Sequence, residues 1–209
     1  MLSLAPHRFY GPKGAGVLYR HRRARLTSLI HGGVQEGGRR AGIENIPAIV
    51  GAGAAAEIAA RELNQRQEHT SKLQVLLWDG LKARVPHLQL HGPEPGVNRL
   101  PTNLNFSTEF VEGEGLALLC DTQGIAVASG AACVSKALKG SHVLAAIGLE
   151  PNLAQSNILL SLGRDNTAAE VEYFLETFPK LVAKLRGMSP LWDEFQKGAI
   201  TSAIQPKRS

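Results

Sequence analysis

The residues best suited to covalent chemistry lie in residues 124–135, GIAVASGAACVS. Ile125, Val127 and the alanines among them form a short apolar run that predicts a buried strand. The run opens into Ser129-Gly130-Ala131-Ala132-Cys133, where every residue before the thiol is small. Such a segment holds a nucleophile on an uncrowded loop at a strand end, free to travel to its substrate. The competing reading of Cys133 is a small buried side chain, since free cysteine is among the most buried residue types. Cys120 sits in the apolar helical run GLALLC and reads as core. The histidines do not gather with cysteines at zinc spacing. His87 and His91 are four apart but flank a predicted strand, so their rings need not converge, and no metal site is expected.

Composition narrows the classes. In 209 residues, 44% hydrophobic and 20% charged, there is room for one ordinary core, or one small domain and a piece of another. No apolar run approaches the ~20 residues of a membrane span. The opening MLSLAPHRFYG lacks the basic and apolar regions of a secretory signal. Two cysteines are too few for a disulfide framework, and a reducing, cytoplasmic compartment is expected. The net charge of +5 raises nucleic-acid binding. Its basic cluster, Arg20, Arg22, Arg23 and Arg25, has no aromatic interleaving beyond Tyr19 and no recognised motif, so a solvated loop is expected instead.

The elements that must position the thiol follow from periodicity. Residues 1–19 read as strand, Gly/Pro loop and strand. Gly11-Pro12-Lys13-Gly14-Ala15-Gly16 lacks the ending of a phosphate loop. Residues 31–46 read as a long loop. From Pro47 a helical pattern begins, with Val50, Ala54 and Ile58 in step. A solvent-facing stretch follows over 61–71, and Leu73, Leu76, Leu77 and Leu81 restore the stripe before Pro86. This predicts one very long helix, or two with a bend, linking two domains. Leu88-Gln89-Leu90 and Asn103-Leu104-Asn105-Phe106 read as strands separated by a turn. Ser141 caps a short helix ended by Gly148, and residues 157–162 form a buried strand. Thr167 and Glu170 make a capping box for a last helix whose face is Val171, Phe174, Leu175, Phe178, Val182 and Leu185, kinked at Pro179. The fold class is α/β or α+β. The tail from Ser189 carries Trp192 and Phe195 outside any clear core, as a strap or a partner-docking segment.

In order along the chain, His7-Arg8-Phe9-Tyr10-Gly11-Pro12-Lys13-Gly14, Gly32-Gly33-Val34-Gln35-Glu36, Arg40-Ala41-Gly42-Ile43-Glu44-Asn45, Ser129-Gly130-Ala131-Ala132-Cys133 and Ser161-Leu162-Gly163-Arg164 form a recognisable pattern. The sequence resembles the carboxy-terminal half of the pyridoxal-phosphate-dependent cysteine desulfurases of the NifS/IscS type, within class V aminotransferases, with selenocysteine lyase a cousin. The resemblance implies a fold type I transferase. It would comprise a large-domain remnant (1–60), a small domain with the cysteine loop (61–188) and a tail (189–209). It implies pyridoxal phosphate as cofactor with His7 beside it, cysteine as substrate, and a persulfide on Cys133. It also implies a homodimer or a heterodimer with a full-length desulfurase, and docking of an iron–sulfur scaffold protein through the tail, as in the family's Ser-Pro-Leu-Trp ending.

The departures fall where that chemistry is done. The family's Schiff-base lysine is Arg8, which stays protonated. Its phosphate-binding serine is Ala5, its threonine reaching across the dimer is Ile43, and its substrate-carboxylate arginine is Leu159. The family's preceding half has no counterpart in these residues. The sequence therefore leads to a degenerate desulfurase-like protein, with a non-catalytic docking module as the alternative.

Overall fold

Two compact units, Met1–Gln65 and Arg66–Ser209, make up the chain in the computed structural model, which describes residues 1–129 and 141–204. In the first unit β1 (Leu2–Leu4) pairs antiparallel with β2 (Val17–Tyr19), Leu2 opposite Tyr19. Between them a single 3-10 turn, Pro6–Phe9, starts on a proline, whose fixed φ and missing N–H suit a first helical position. It ends at Tyr10 in the left-handed region, φ 71°. The basic loop after β2 is stapled by Arg20, which donates to the carbonyls of Arg22 and Ala24. The expected long loop contains one turn, α1 (Gln35–Gly38), with Glu36 and Gly37 left-handed.

Helix α2 (Ile46–Arg61) is launched by Asn45, whose side-chain oxygen accepts the Ala48 N–H at 3.2 Å. Its buried face differs from the Val50, Ala54, Ile58 stripe: Val50 and Ala54 are exposed, and Ala48, Ala52 and Ala55 are buried. The cause is the close approach of the 10–12 loop. A Cβ on Gly51 would lie 2.6 Å from Pro12 Cγ, and one on Gly11 only 3.1 Å from Ala55 Cβ, so the helix meets the loop on its smallest side chains. The helical stretch is two helices, broken at Glu62 (φ −97°, ψ 5°), with α3 (Leu63–Arg84) following.

The second unit is built on an antiparallel sheet of β3 (Leu88–Leu90), β4 (Asn103–Thr108), β5 (Ala128–Ser129) and β6 (Asn157–Ser161), in the order β3-β4-β6-β5. Period-two alternation sends Leu104, Phe106, Ile158 and Leu160 to one face, where α3, α4 (Gly113–Asp121) and α7 (Ala168–Arg186) cover them. Phe106 is the hub, 6.2 Å from the Trp78 ring and 5.8 Å edge-on to Phe178. In α3 the inward residues are Leu73, Gln74, Leu77, Trp78 and Leu81, while Leu76 of the expected stripe is exposed. Gln74 is buried because it donates to the Leu100 and Asn103 carbonyls at 2.9 and 2.7 Å.

Strand β5 is shorter than the apolar run suggested. The Ile125 N–H bonds the Cys120 carbonyl at 3.0 Å, and Gly124 is left-handed (φ 71°), so residues 122–125 close α4 instead of pairing. Small helices α5 (His142–Ala146), capped by Ser141, and α6 (Pro151–Gln155) follow. Helix α7 has the full capping box, Thr167 Oγ1 accepting the Glu170 N–H at 3.2 Å and Glu170 accepting the Thr167 N–H at 2.8 Å. It runs through Pro179 to Arg186 as one element. The chain then forms α8 (Pro190–Gln196). Among the described residues no helix is long and apolar enough to cross a membrane.

Candidate functional site

Candidate residues occur in each unit. In the first, the β1–β2 hairpin presents His7 and Arg8 on its 3-10 turn, held by the Arg8 N–H to the Ala5 carbonyl and the Gly11 N–H to the Pro6 carbonyl, both 2.9 Å. Gly11 is required there: any Cβ would fall 3.0 Å from the Pro6 carbonyl oxygen. The side chains of His7 and Arg8 are exposed, with no hydrogen-bond or ion-pair partner among the described residues. Ala5, immediately before the turn, offers only a methyl group. Ile43, 92% exposed, stands on the 39–45 loop, where Gln35 Oε1 accepts the Gly42 N–H at 3.3 Å. The unit's one lysine is Lys13, exposed beyond Pro12.

In the second unit the outer face of the sheet is polar. Leu159 lies opposite Asn105 on β4 and Ala128 on β5. The His91 N–H donates to the Asn105 carbonyl at 2.9 Å, which extends the row to His91, Asn105, Leu159, Ala128. Leu159 is therefore a half-buried aliphatic chain amid polar neighbours. His91 Nδ1 is 2.5 Å from Asn105 Oδ1, which also accepts Asn157 Nδ2 at 2.6 Å. A carbonyl oxygen can only accept, so the Nδ1 position carries the proton and Nε2 keeps its lone pair, buried without a partner among the described residues. Burial holds the imidazole below its ordinary pKa, with the nearby Arg99 adding to that shift and the Asn105 bond opposing it. The network locks a neutral ring into the sheet edge. Sequence reading missed it, although the alternation Asn103, Asn105, Ser107 was its visible signal.

The described residues stop at Ser129 and resume at 141, and Cys133, the proposed nucleophile, lies outside them. The other cysteine, Cys120, is fully buried, and burial pushes its thiol up to about 11, so it is un-ionised and inert at neutral pH. Among the described residues no three His, Cys, Asp or Glu side chains converge as a metal site would need.

A mixed α/β chain with this sheet and hairpin matches part of a fold type I transferase, and the comparisons agree. Residues 1–174 match the family Aminotransferase class-V, and the chain belongs to that family. Within it, the chain is similar to the "Cysteine desulfurase IscS" of Clostridium botulinum (strain Hall), 45% identical over 197 residues, covering 94% of this chain and 50% of that protein. It is 44% identical over 207 residues to the protein of the same name from Vibrio cholerae, covering 98% of this chain and 50% of that one. Among solved structures, a "NIFS-LIKE PROTEIN" superposes with a TM-score of 0.76 at 36% identity, covering 87% of this chain and 45% of that one. The NifS-like protein from Rickettsia africae gives 0.75 at 28% identity, covering 86% and 46%. The chain spans about half the length of the curated relatives it matches.

The residues present do not fit pyridoxal phosphate in the way the resemblance requires. Arg8 stands at the lysine position with a guanidinium that cannot lose its proton to condense with an aldehyde. Ala5 and Ile43 have no hydroxyl for a phosphate, and Leu159 has no charge for a carboxylate.

Proposed function

We propose that this chain is a desulfurase-like protein that keeps a sulfur-accepting thiol, Cys133, and has lost the cofactor chemistry of its relatives. On this reading residues 1–60 are a remnant of the cofactor-binding domain, 61–188 the small domain with the cysteine loop, and 189–209 a tail. His7 is what persists of the cofactor's surroundings. The observation that carries the reading is Arg8, an exposed guanidinium on a well-formed turn where the chemistry needs a neutral amine. Leu159, fixed opposite Asn105, supports it from the other unit.

A thiol can still relay sulfur without the cofactor. The Cys133 thiolate attacks the outer sulfur of a persulfide on an active desulfurase. The S–S bond to the donor's cysteine breaks, a new one forms at Cys133, and the donor leaves as a thiolate with the electron pair. No external oxidant is needed. The partners this implies are a full-length desulfurase or a second copy of the chain, and an iron–sulfur scaffold protein reached through the tail. The compartment is reducing, as in cytoplasm. A second reading, a non-catalytic docking module, is favoured by the aromatic pair Trp192 and Phe195 on α8.

The test is a paired assay on the purified chain. We expect no absorbance band with pyridoxal phosphate and no sulfide from cysteine, but persulfide labelling after incubation with an active desulfurase and cysteine. Cys133→Ser abolishes that labelling. Sulfide release by the chain alone overturns the loss of chemistry. Labelling that survives Cys133→Ser overturns the relay and leaves the docking module.

A further inference from the structure

The carboxy-terminal segment packs on its own domain by two independent sets of contacts. Trp192 and Phe195, three apart on α8, stand edge-on to the His87 ring at 5.8 and 4.9 Å. Phe195 also stacks on Phe110 at 4.8 Å, and the Arg186 guanidinium lies over Trp192 at 4.9 Å. Further along, the Glu109 carboxylate, 5% exposed, accepts the Ser202 hydroxyl at 2.5 Å and the N–H groups of Ala203 and Ile204 at 2.6 and 3.3 Å. The receiving surface is the open end of the β3–β4 pair. His87 and Phe110 are both left-handed there, φ 59° and 67°, and Arg186 is fixed beneath by bonds to the Glu109 and Pro86 carbonyls.

Aromatic anchors followed by a carboxylate that takes backbone donors is how a domain binds a linear peptide. No residue of α8 is buried, which marks a shallow contact. We infer that residues 190–204 are the resident ligand of a peptide cleft formed by His87, Glu109, Phe110 and Arg186, a strap that can be released. Its consequence deepens, and rests on, the tail-docking reading above. Trp192 and Phe195 cannot stack on His87 and on a partner together, so the closed strap competes with scaffold docking, and Glu109 sets the balance.

The test uses the full chain. A fluorescent peptide of residues 189–204 should bind a W192A/F195A chain, whose own strap is disabled, at least tenfold more tightly than the unaltered chain. Adding Glu109→Ala should remove that gain. In Glu109→Ala alone, the amides of Ala203 and Ile204 should exchange at least tenfold faster while those of Leu104 and Phe106 are unchanged, with Glu109→Gln intermediate. Equal peptide binding by both chains, or exchange unaffected by Glu109→Ala, overturns the strap. Scaffold-protein pull-down is the separate arm. Capture that rises with Glu109→Ala supports the competition. Faster exchange without any scaffold capture keeps the strap and removes the docking reading.

Discussion

The two units spend their apolar residues in opposite ways. The second encloses Phe106, Phe178, Leu104, Ile158 and Leu81 completely. The first buries Pro6 and four alanines, while Leu29 and Ile43 are each 92% exposed and Leu2, Leu18 and Tyr19 of its hairpin are more than half so. A two-stranded ribbon of three-residue strands is marginal by itself, and side chains this exposed add little burial to hold it. The lesson is that this chain's two regions are stabilised differently. One holds itself together by a closed core, and the other by close backbone approach at Gly11 and Gly51.

That contrast can be broken by substitution. Phe106→Ala removes the hub of the core and should cost about 3–5 kcal/mol, whereas Leu29→Ala, on open surface, should stay within about 0.5 kcal/mol. Denaturant unfolding measures both, and equal costs would abolish the distinction. Glycine to alanine gives the next largest effect, with opposite signs in the two units. A Cβ at Gly113 would sit 2.5 Å from the Asn157 carbonyl oxygen and 3.0 Å from that of Gln155. These are backbone atoms that cannot swing aside, so Gly113→Ala should destabilise by about 1–3 kcal/mol. Gly53, inside α2, has nothing within 4 Å of its would-be Cβ. Gly53→Ala should therefore stabilise α2 by about 0.5–1 kcal/mol through helix propensity alone. A smaller loss, about 1 kcal/mol, is expected for Thr167→Ala, which removes the capping oxygen of α7. Restoration by Thr167→Ser would confirm that the cap and not packing is lost.

Legibility in the sequence followed the range of the interaction. The Thr167–Glu170 box and the Asn103–Phe106 alternation are local, and the structure has both, with the strand running on to Thr108. The face of α2 was misread because the large residues Val50 and Ile58 set the apparent stripe. What decides burial there is the loop at Pro12, nearly 40 residues earlier, which fits only against alanine and glycine. Strand β5 was overextended because apolar content does not reveal that the Ile125 N–H is taken by Cys120. Arg8 and Leu159 were readable only as residue types at positions that the resemblance marks. The His91 network and the Glu109 latch were not, since their partners are 14 to 95 residues away.

The smallest expected effect concerns the polar outer face of the second unit, and it is a pH dependence. His91 is 6% exposed and held neutral by burial, its folded pKa below the ordinary 6.5. The unfolded chain thus binds a proton that the folded one refuses. Stability from this group is present above pH 6.5 and drains away as the pH falls below it. Arg99, donating to the His91 carbonyl, adds charge that opposes protonation, and Asn105 favours it. Stability should therefore fall between pH 7 and 6, within the limit of about 1.4 kcal/mol per pH unit for one proton. His91→Gln should flatten that part of the stability profile in urea titrations. A slope unchanged by the substitution would place the titrating group elsewhere and leave His91 a purely structural partner of Asn105 and Asn157.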